Sequence, residues 1–263
     1  MRCLALEYHD IVRGDPEASG FPGGAAATYK LGAEAFAAHL EAIARRGVTI
    51  VAADRPWPTH AVPVALTFDD GGVSAATESA PALERHGWPG HFFVTTGRIG
   101  TAGFLAPADI SSLRRAGHVI GSHSCTHPVR FAALTREAML EEWRVSRATL
   151  EDILGEEVRV ASVPGGYFSR AVAETADAAG LRTLFTSEPT SRTHRVGDCT
   201  VIGRYTLRRA SPAAAAAALA AGEPLACLRQ WAIWNAKKIV KAAGAPVYLA
   251  VRERLLERRT PSS

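Results

Sequence analysis

Three observations predict an α/β fold for this chain, a (β/α) barrel of about seven units with a C-terminal helical extension. From residue 2 to residue 205, short β-rich runs alternate with amphipathic stretches, the pattern of parallel strands joined by helical crossovers. About seven or eight such units fit into roughly 200 residues, which suits a barrel better than an open doubly wound sheet. Composition agrees. Of 263 residues, 47% are apolar and 21% charged, so a disordered chain and a collagen are both excluded.

The predicted strands are 2–8, 49–52, 62–68, 91–94, 118–121, 158–162, 183–185 and 200–205. A helix is predicted over 33–46, where Phe36, Leu40 and Ile43 recur at i, i+4 and i+7 and Gly47 stands at the C-cap. Thr135 is placed to cap a helix that reaches Leu154 before Gly155, with Met139, Trp143, Leu150 and Ile153 near one face. After Tyr205 the composition changes. Ser211-Pro212 opens a run of alanines that stops at Gly222, read as a connecting helix because alanine carries no chemistry. Two further helices are read at 224–243 and 246–259, on either side of Gly244-Ala245-Pro246. The chain therefore divides into a barrel, 1–205, and a basic helical extension, 206–263.

The net charge is +4, but residues 229–263 hold eight Lys/Arg against two Glu, so the basic character belongs to the tail. No nucleic-acid partner is expected. No run approaches the 18 or so apolar residues of a membrane span, and Glu7 interrupts the start too early for a signal-peptide core. The expectation is a cytoplasmic protein. Cys3, Cys125, Cys199 and Cys227 are scattered without a C-x-x-C pair, which fits free thiols.

Chemistry concentrates at three strand ends. Asp69-Asp70-Gly71-Gly72 closes the apolar run 62–68, and carboxyl ends of parallel strands are where such folds place their functional groups. His123 and His127 stand four apart in a loop bounded by Gly121 and Pro128, able to converge on one point. One of the two acids can then ligate a metal with them while the other serves as base. The loop Pro164-Gly165-Gly166 follows another strand, and its free N–H groups could face an oxyanion. His39, His60, His86, His91 and His194 lie in no motif and are read as structural.

These residues resemble the polysaccharide deacetylases of the carbohydrate-esterase type. The likeness rests on Thr67-Phe68-Asp69-Asp70-Gly71, on His123-Ser124-x-Thr126-His127 introduced by Gly117-His118-x-Ile120-Gly121-Ser122, and on Pro164-Gly165-Gly166. Tyr8-His9-Asp10 and Ala44-Arg45-Arg46-Gly47 add to it, so that it spans about residues 4–190. It implies a distorted barrel and metal-dependent removal of N- or O-acetyl groups from glycans. By the same likeness Asp69 matches the general base, and Asp70, His123 and His127 match the metal ligands. The chain departs from the pattern in three places. Ser162 stands where the family has a base-orienting Arg, an Asp-Trp motif is missing near Thr186-Ser187-Glu188-Pro189, and the late Leu-x-His has only Ile202-Gly203-Arg204 as its nearest string. His9 and Arg204, each at a strand end, are the candidate replacements in the proton-transfer machinery.

The expected function is a metal-dependent hydrolase that removes an acetyl group from an amino-sugar-containing glycan or lipid-linked glycan precursor. Zinc is the expected cofactor, because two imidazoles and a carboxylate with an open position describe a hydrolytic zinc site. Two other classes compete. Non-haem Fe(II) oxygenases use a similar ligand set but are expected on antiparallel β scaffolds, and a glycan-binding protein that merely retains the metal site would need no base beside it. In the tail, Trp231, Trp234, Lys237, Lys238 and Lys241 precede Tyr248, Arg252, Arg254, Arg258 and Arg259. That pattern is expected either to pack on the barrel or to dock peripherally on the anionic inner face of a membrane.

Overall fold

The computed structural model describes residues 1–58 and 61–243, with side chains of the last helix described to Ala236. Strands β1 (Leu4–Tyr8), β2 (Val64–Phe68), β3 (His91–Val94), β4 (Val119–Ser122), β5 (Val160–Ser162), β6 (Thr183–Thr186) and β7 (Cys199–Thr206) pair in parallel in sequence order. Ala5, Leu6 and Glu7 of β1 pair with Arg204, Tyr205 and Thr206 of β7, which closes the barrel. Closure is uneven. β1 and β2 share five residue pairs, whereas β4 and β5 share only Ser122 with Ala161. A short strand, His194–Val196, lies antiparallel on β7.

Alternation along the strands decides what lies inside. Leu4, Leu6 and Tyr8 of β1 and Val64, Leu66 and Phe68 of β2 share a core with Phe36, Leu40 and Ile43 of helix α1 (Ala33–Ala44). The intervening residues point into the barrel, where Cys3, Ala5, Ala65, Phe93, Val119, Val160, Phe185 and Ile202 form a separate apolar cluster. Two residues further along, the same inward rows turn polar. Glu7, Thr67, Ser162, Ser187 and Arg204 are all buried at the carboxyl ends of their strands. A polar layer of this kind needs mutual hydrogen bonds to be tolerated.

Outside the barrel run α2 (Ala80–Glu84), α3 (Pro107–Arg115), α4 (Arg136–Leu154) and α5 (Arg170–Ala178). The α4 ends match expectation: Thr135 accepts a hydrogen bond from Ala138 N at 3.2 Å, and Gly155 ends the helix in the left-handed conformation. Met139, Trp143 and Leu150 are buried, and Ser146 joins them in place of Ile153, bonded at 2.7 Å to Ser122 of β4. The predicted strand 49–52 is not formed. Ile50 makes only an isolated bridge to Val64, because from Thr67 onward β3 occupies that side of β2. The alanine run forms α6 (Ala213–Ala220), and Ala216, Leu219 and Ala220 enter the core that holds Leu4 and Phe36. Small side chains let α6 lie close against α1.

The last described helix, α7, runs Pro224–Ala243 and is not apolar enough to cross a membrane. The predicted helix 246–259, His60, and the side chains of Lys237, Lys238, Lys241, Tyr248, Arg252, Arg254, Arg258 and Arg259 lie outside the described residues. All four cysteines are free.

Candidate active site

Asp69 continues the β2 ladder, its N–H donating to Tyr8 O at 3.1 Å, and so points into the barrel. Asp70 then turns, with φ at 79°. Among the described residues only Asp70, Ser124 and His127 are non-glycine residues with left-handed φ. Each costs about 1–3 kcal/mol in that region, and such strain gathers at functional sites. All three belong to the two acid and histidine motifs.

The histidine loop is held by its own small side chains and by α4. Ser124 Oγ accepts from His127 N at 3.0 Å, while Glu142 of α4 accepts from Cys125 N, Thr126 N and Thr126 Oγ1 at 2.9, 2.8 and 2.6 Å. Thus Ser124 and Thr126 shape the loop rather than face the cavity chemistry. His123 and His127 are brought together, each with Nε2 3.5 Å from Asp70 Oδ1. One donor atom from each of Asp70, His123 and His127 lies within 4.8 Å of the others, a spacing that a single cation can bridge.

Protonation at His123 is settled by its neighbours. Ser162 Oγ donates to Asp69 Oδ1 at 3.0 Å and therefore accepts from His123 Nδ1–H at 2.5 Å. Nε2 is left with its lone pair toward Asp70, the tautomer a metal ligand requires. Burial pushes the His123 pKa down to about 4, against the pull of Asp69, so the ring is neutral at pH 7. At His127 burial acts downward too, but Asp70 outweighs it and the pKa is raised.

Asp69 is gripped from β7, two strands away on the side of β1. Arg204 of β7 donates Nη1 to Asp69 Oδ1 and Nη2 to Asp69 Oδ2, both at 2.7 Å. Burial would raise the Asp69 pKa, but Arg204 and His123 outweigh it and hold the carboxyl far below its usual range. Arg204 also donates to Glu7 Oε1 and Thr67 Oγ1, each at 3.2 Å, and to Thr186 O at 3.2 Å. Glu7 in turn accepts from Ser187 Oγ at 2.7 Å and Thr206 Oγ1 at 2.5 Å. Glu7, His9 and Asp69 also lie within 4.8 Å of one another, but the guanidinium already balances both carboxylates.

These groups floor a cavity of about 300 Å³ at the carboxyl ends of the strands. His9 lines it, its ring 4.8 Å from that of Tyr29 and its buried Nδ1 without a partner among the described residues. Gly165, at φ 69°, lines the mouth, and among the described residues no protein acceptor takes its N–H. All seven residues singled out in the sequence therefore border this cavity or, for Arg204, hold Asp69 beneath it. Glu7, Ser187, Thr206 and the bridging role of Ser162 were not foreseen. The one available signal was an acid, Glu7, inside the apolar run 4–8.

A family model described as polysaccharide deacetylase matches residues 58–184. That stretch, just under half of the chain, is similar to the polysaccharide deacetylase family. The matched stretch holds Asp69, Asp70, His123, His127 and Gly165 but stops short of Arg204 and leaves out Glu7 and His9. Among curated relatives, a peptidoglycan-N-acetylglucosamine deacetylase from Listeria monocytogenes is 31% identical over 112 residues, 42% of this chain and 23% of that protein. An uncharacterized 30.6 kDa protein from Geobacillus stearothermophilus is 27% identical over 46% of this chain and 45% of its own length. The chain thus spans less than half the length of the curated relatives it matches. Among solved structures, IcaB from Ammonifex degensii superposes with a TM-score of 0.68 at 22% identity, covering 83% of this chain and 97% of that one. The Streptococcus pyogenes deacetylase PplD, in complex with acetate, gives 0.67 at 17% identity, covering 81% and 95%. At such identities the likeness to these two structures shows a shared fold and goes no further.

Proposed function

We propose that this chain is a metal-dependent deacetylase that cleaves the N-acetyl amide, or an O-acetyl ester, of an amino-sugar-containing glycan or lipid-linked glycan precursor. The observation that carries the reading is the convergence of Asp70, His123 and His127 within 4.8 Å, beside an Asp69 gripped by Arg204 on a cavity floor. The name of the Listeria relative supports an amino-sugar substrate.

The residues fit a divalent cation, zinc by the chemistry of the donor set, because the His123 tautomer and the strained Asp70 and His127 aim their donors together. Such an ion supplies polarisation of the acyl carbonyl and a more acidic water. Asp69 Oδ2, which among the described residues accepts only from Arg204 Nη2, takes the proton from the attacking water. Arg204 keeps Asp69 ionised and oriented, trading basicity for a fixed position. The Gly165 N–H faces the carbonyl oxygen as it gains charge. His9, beside Asp69 at the end of the neighbouring strand and with a ring nitrogen that has no partner among the described residues, delivers a proton to the leaving amine.

The test is acetate release from acetylated chitooligosaccharides by the zinc-loaded chain. Asp70→Asn, His123→Ala and His127→Ala each lose stoichiometric metal by elemental analysis, since three protein ligands leave little redundancy. Full occupancy in all three would displace the assignment. Ser162→Ala, which leaves His123 Nδ1 only the longer bond to the main-chain carbonyl of residue 162 at 3.2 Å and cuts its link to Asp69, weakens metal affinity about tenfold in competition with a chelator. Equal affinity would reduce Ser162 to a packing residue.

Membrane docking rests on α7. Leu225, Leu228 and Trp231, spaced by three, are 79%, 58% and 52% exposed, and the sequence from 229 on carries the cationic surplus that anionic lipid attracts. The full chain is expected to float with anionic vesicles at low salt and less at high salt. Leu225→Glu with Leu228→Glu and Trp231→Glu abolishes flotation, and unaltered flotation of that variant removes the role of α7.

A further inference from the structure

We propose that the catalytic cavity carries a second subsite, built on Arg208, Tyr29 and Trp234, for an anionic group joined to the sugar that is deacetylated, on the adjoining residue or directly on its ring. This rests on the reading of the chain as a glycan deacetylase. The anion is a carboxylate or a phosphate.

The charges around the cavity point to it. Lys30 Nζ is committed to the carbonyls of Pro16 and Ser19, both at 2.6 Å, and Arg204 is committed to Asp69 and Glu7. Arg208 differs. Its guanidinium lies 5.0 Å over the Tyr29 ring, and no carboxylate pairs with it among the described residues. Its position is built rather than incidental: Arg209 N donates to Thr28 O at 3.0 Å, and Arg208 N donates to Ser211 Oγ at 2.9 Å, which pins the turn after β7 against the segment leading to Tyr29.

The facing wall comes from α7. Gln230 Nε2 donates to Thr206 O at 2.9 Å and ties the helix to the end of β7. Trp234 lines the catalytic cavity together with Arg208, and its buried Nε1 has no partner among the described residues. A second cavity of about 190 Å³ shares Ser187, Thr206, Arg208 and Trp234 with the first, so the space continues beyond one sugar ring. Both groups left without a polar partner at this end, the guanidinium and the indole N–H, are donors, and they match an acceptor-rich ligand. Tyr29 and Trp234 offer flat apolar surface to the carbon face of a pyranose.

The test compares three probes on zinc-loaded protein. Tetraacetylchitotetraose is neutral, a hyaluronan tetrasaccharide places carboxylates beside its N-acetylglucosamine, and N-acetylglucosamine 1-phosphate carries a phosphate. Wild type is expected to favour at least one acidic probe in kcat/KM for acetate release, with a preference that shrinks as salt rises; which of the two identifies the source of the anion. Arg208→Met cuts the acidic-to-neutral ratio about ten- to a hundredfold, and Arg208→Lys restores part of it. No preference in wild type, or a ratio that survives Arg208→Met, overturns the subsite. If none of the probes is deacetylated, the deacetylase reading has failed, and titration calorimetry on the same probes decides the subsite separately. Equal or absent binding of acidic and neutral sugars then overturns it, and tighter acidic binding lost in Arg208→Met upholds it.

Discussion

Asp69→Asn is expected to lower acetate release by about 100- to 10,000-fold while the protein keeps its fold and its metal. The separation follows from the geometry. Asp70, His123 and His127 supply the converging donors without Asp69, whose two oxygens are taken up by Arg204 and Ser162. Asparagine fills the same volume, but its remaining oxygen belongs to a neutral amide, too weakly basic to take a proton from water. Metal content and turnover should be read on the same sample. A variant that keeps its metal and turns over within about threefold of wild type would make Asp69 a structural partner of Arg204 and nothing more.

Arg204→Met is expected to destabilise the fold by about 3–5 kcal/mol, because it strands two buried carboxylates, Asp69 and Glu7, without a counter-charge. The guanidinium is fully buried among Glu7, Thr67, Asp69 and Thr186, so water cannot replace it. Urea unfolding at pH 7 reads the change as a shift in midpoint at constant slope. Arg204→Lys recovers little, since one ammonium cannot make the two parallel bonds to Asp69. Combining Arg204→Met with Asp69→Asn costs less than the sum of the single changes, because the carboxylate that needed the arginine has gone. A single-variant loss below about 1 kcal/mol would mean that the carboxylates are neutralised some other way.

The two predictions bear on the same departure from the family pattern. Ser162, the last residue of β5, stands where the resemblance sets an orienting arginine, and the guanidinium arrives instead from β7, two strands from Asp69 on the side of β1. Ser162 takes on another task, joining the His123 ring to Asp69 through one hydroxyl.

The sequence by itself determined the barrel class, and it marked the strand ends where the structure places the cavity and named Asp69, Asp70, His123 and His127, which converge there. These were legible because they are local: adjacent acids at the end of an apolar strand, and imidazoles four apart between Gly121 and Pro128. It also named Arg204 and His9 but left their roles open, and it placed a strand at 49–52 where β3 leaves no room. Only the tertiary structure decided which inward side chains meet. Asp69 and Arg204 are 135 residues apart, and Glu7 and Arg204 are 197 apart. Strand alternation indicates that each points inward, but contact depends on β7 returning to pair with β1, with Ala5 opposite Arg204. A shift of that register by one residue would turn Arg204 out of the barrel and leave Asp69 and Glu7 buried without a cation. Closure and register are set by the packing of the whole barrel, through contacts that no short stretch of sequence contains.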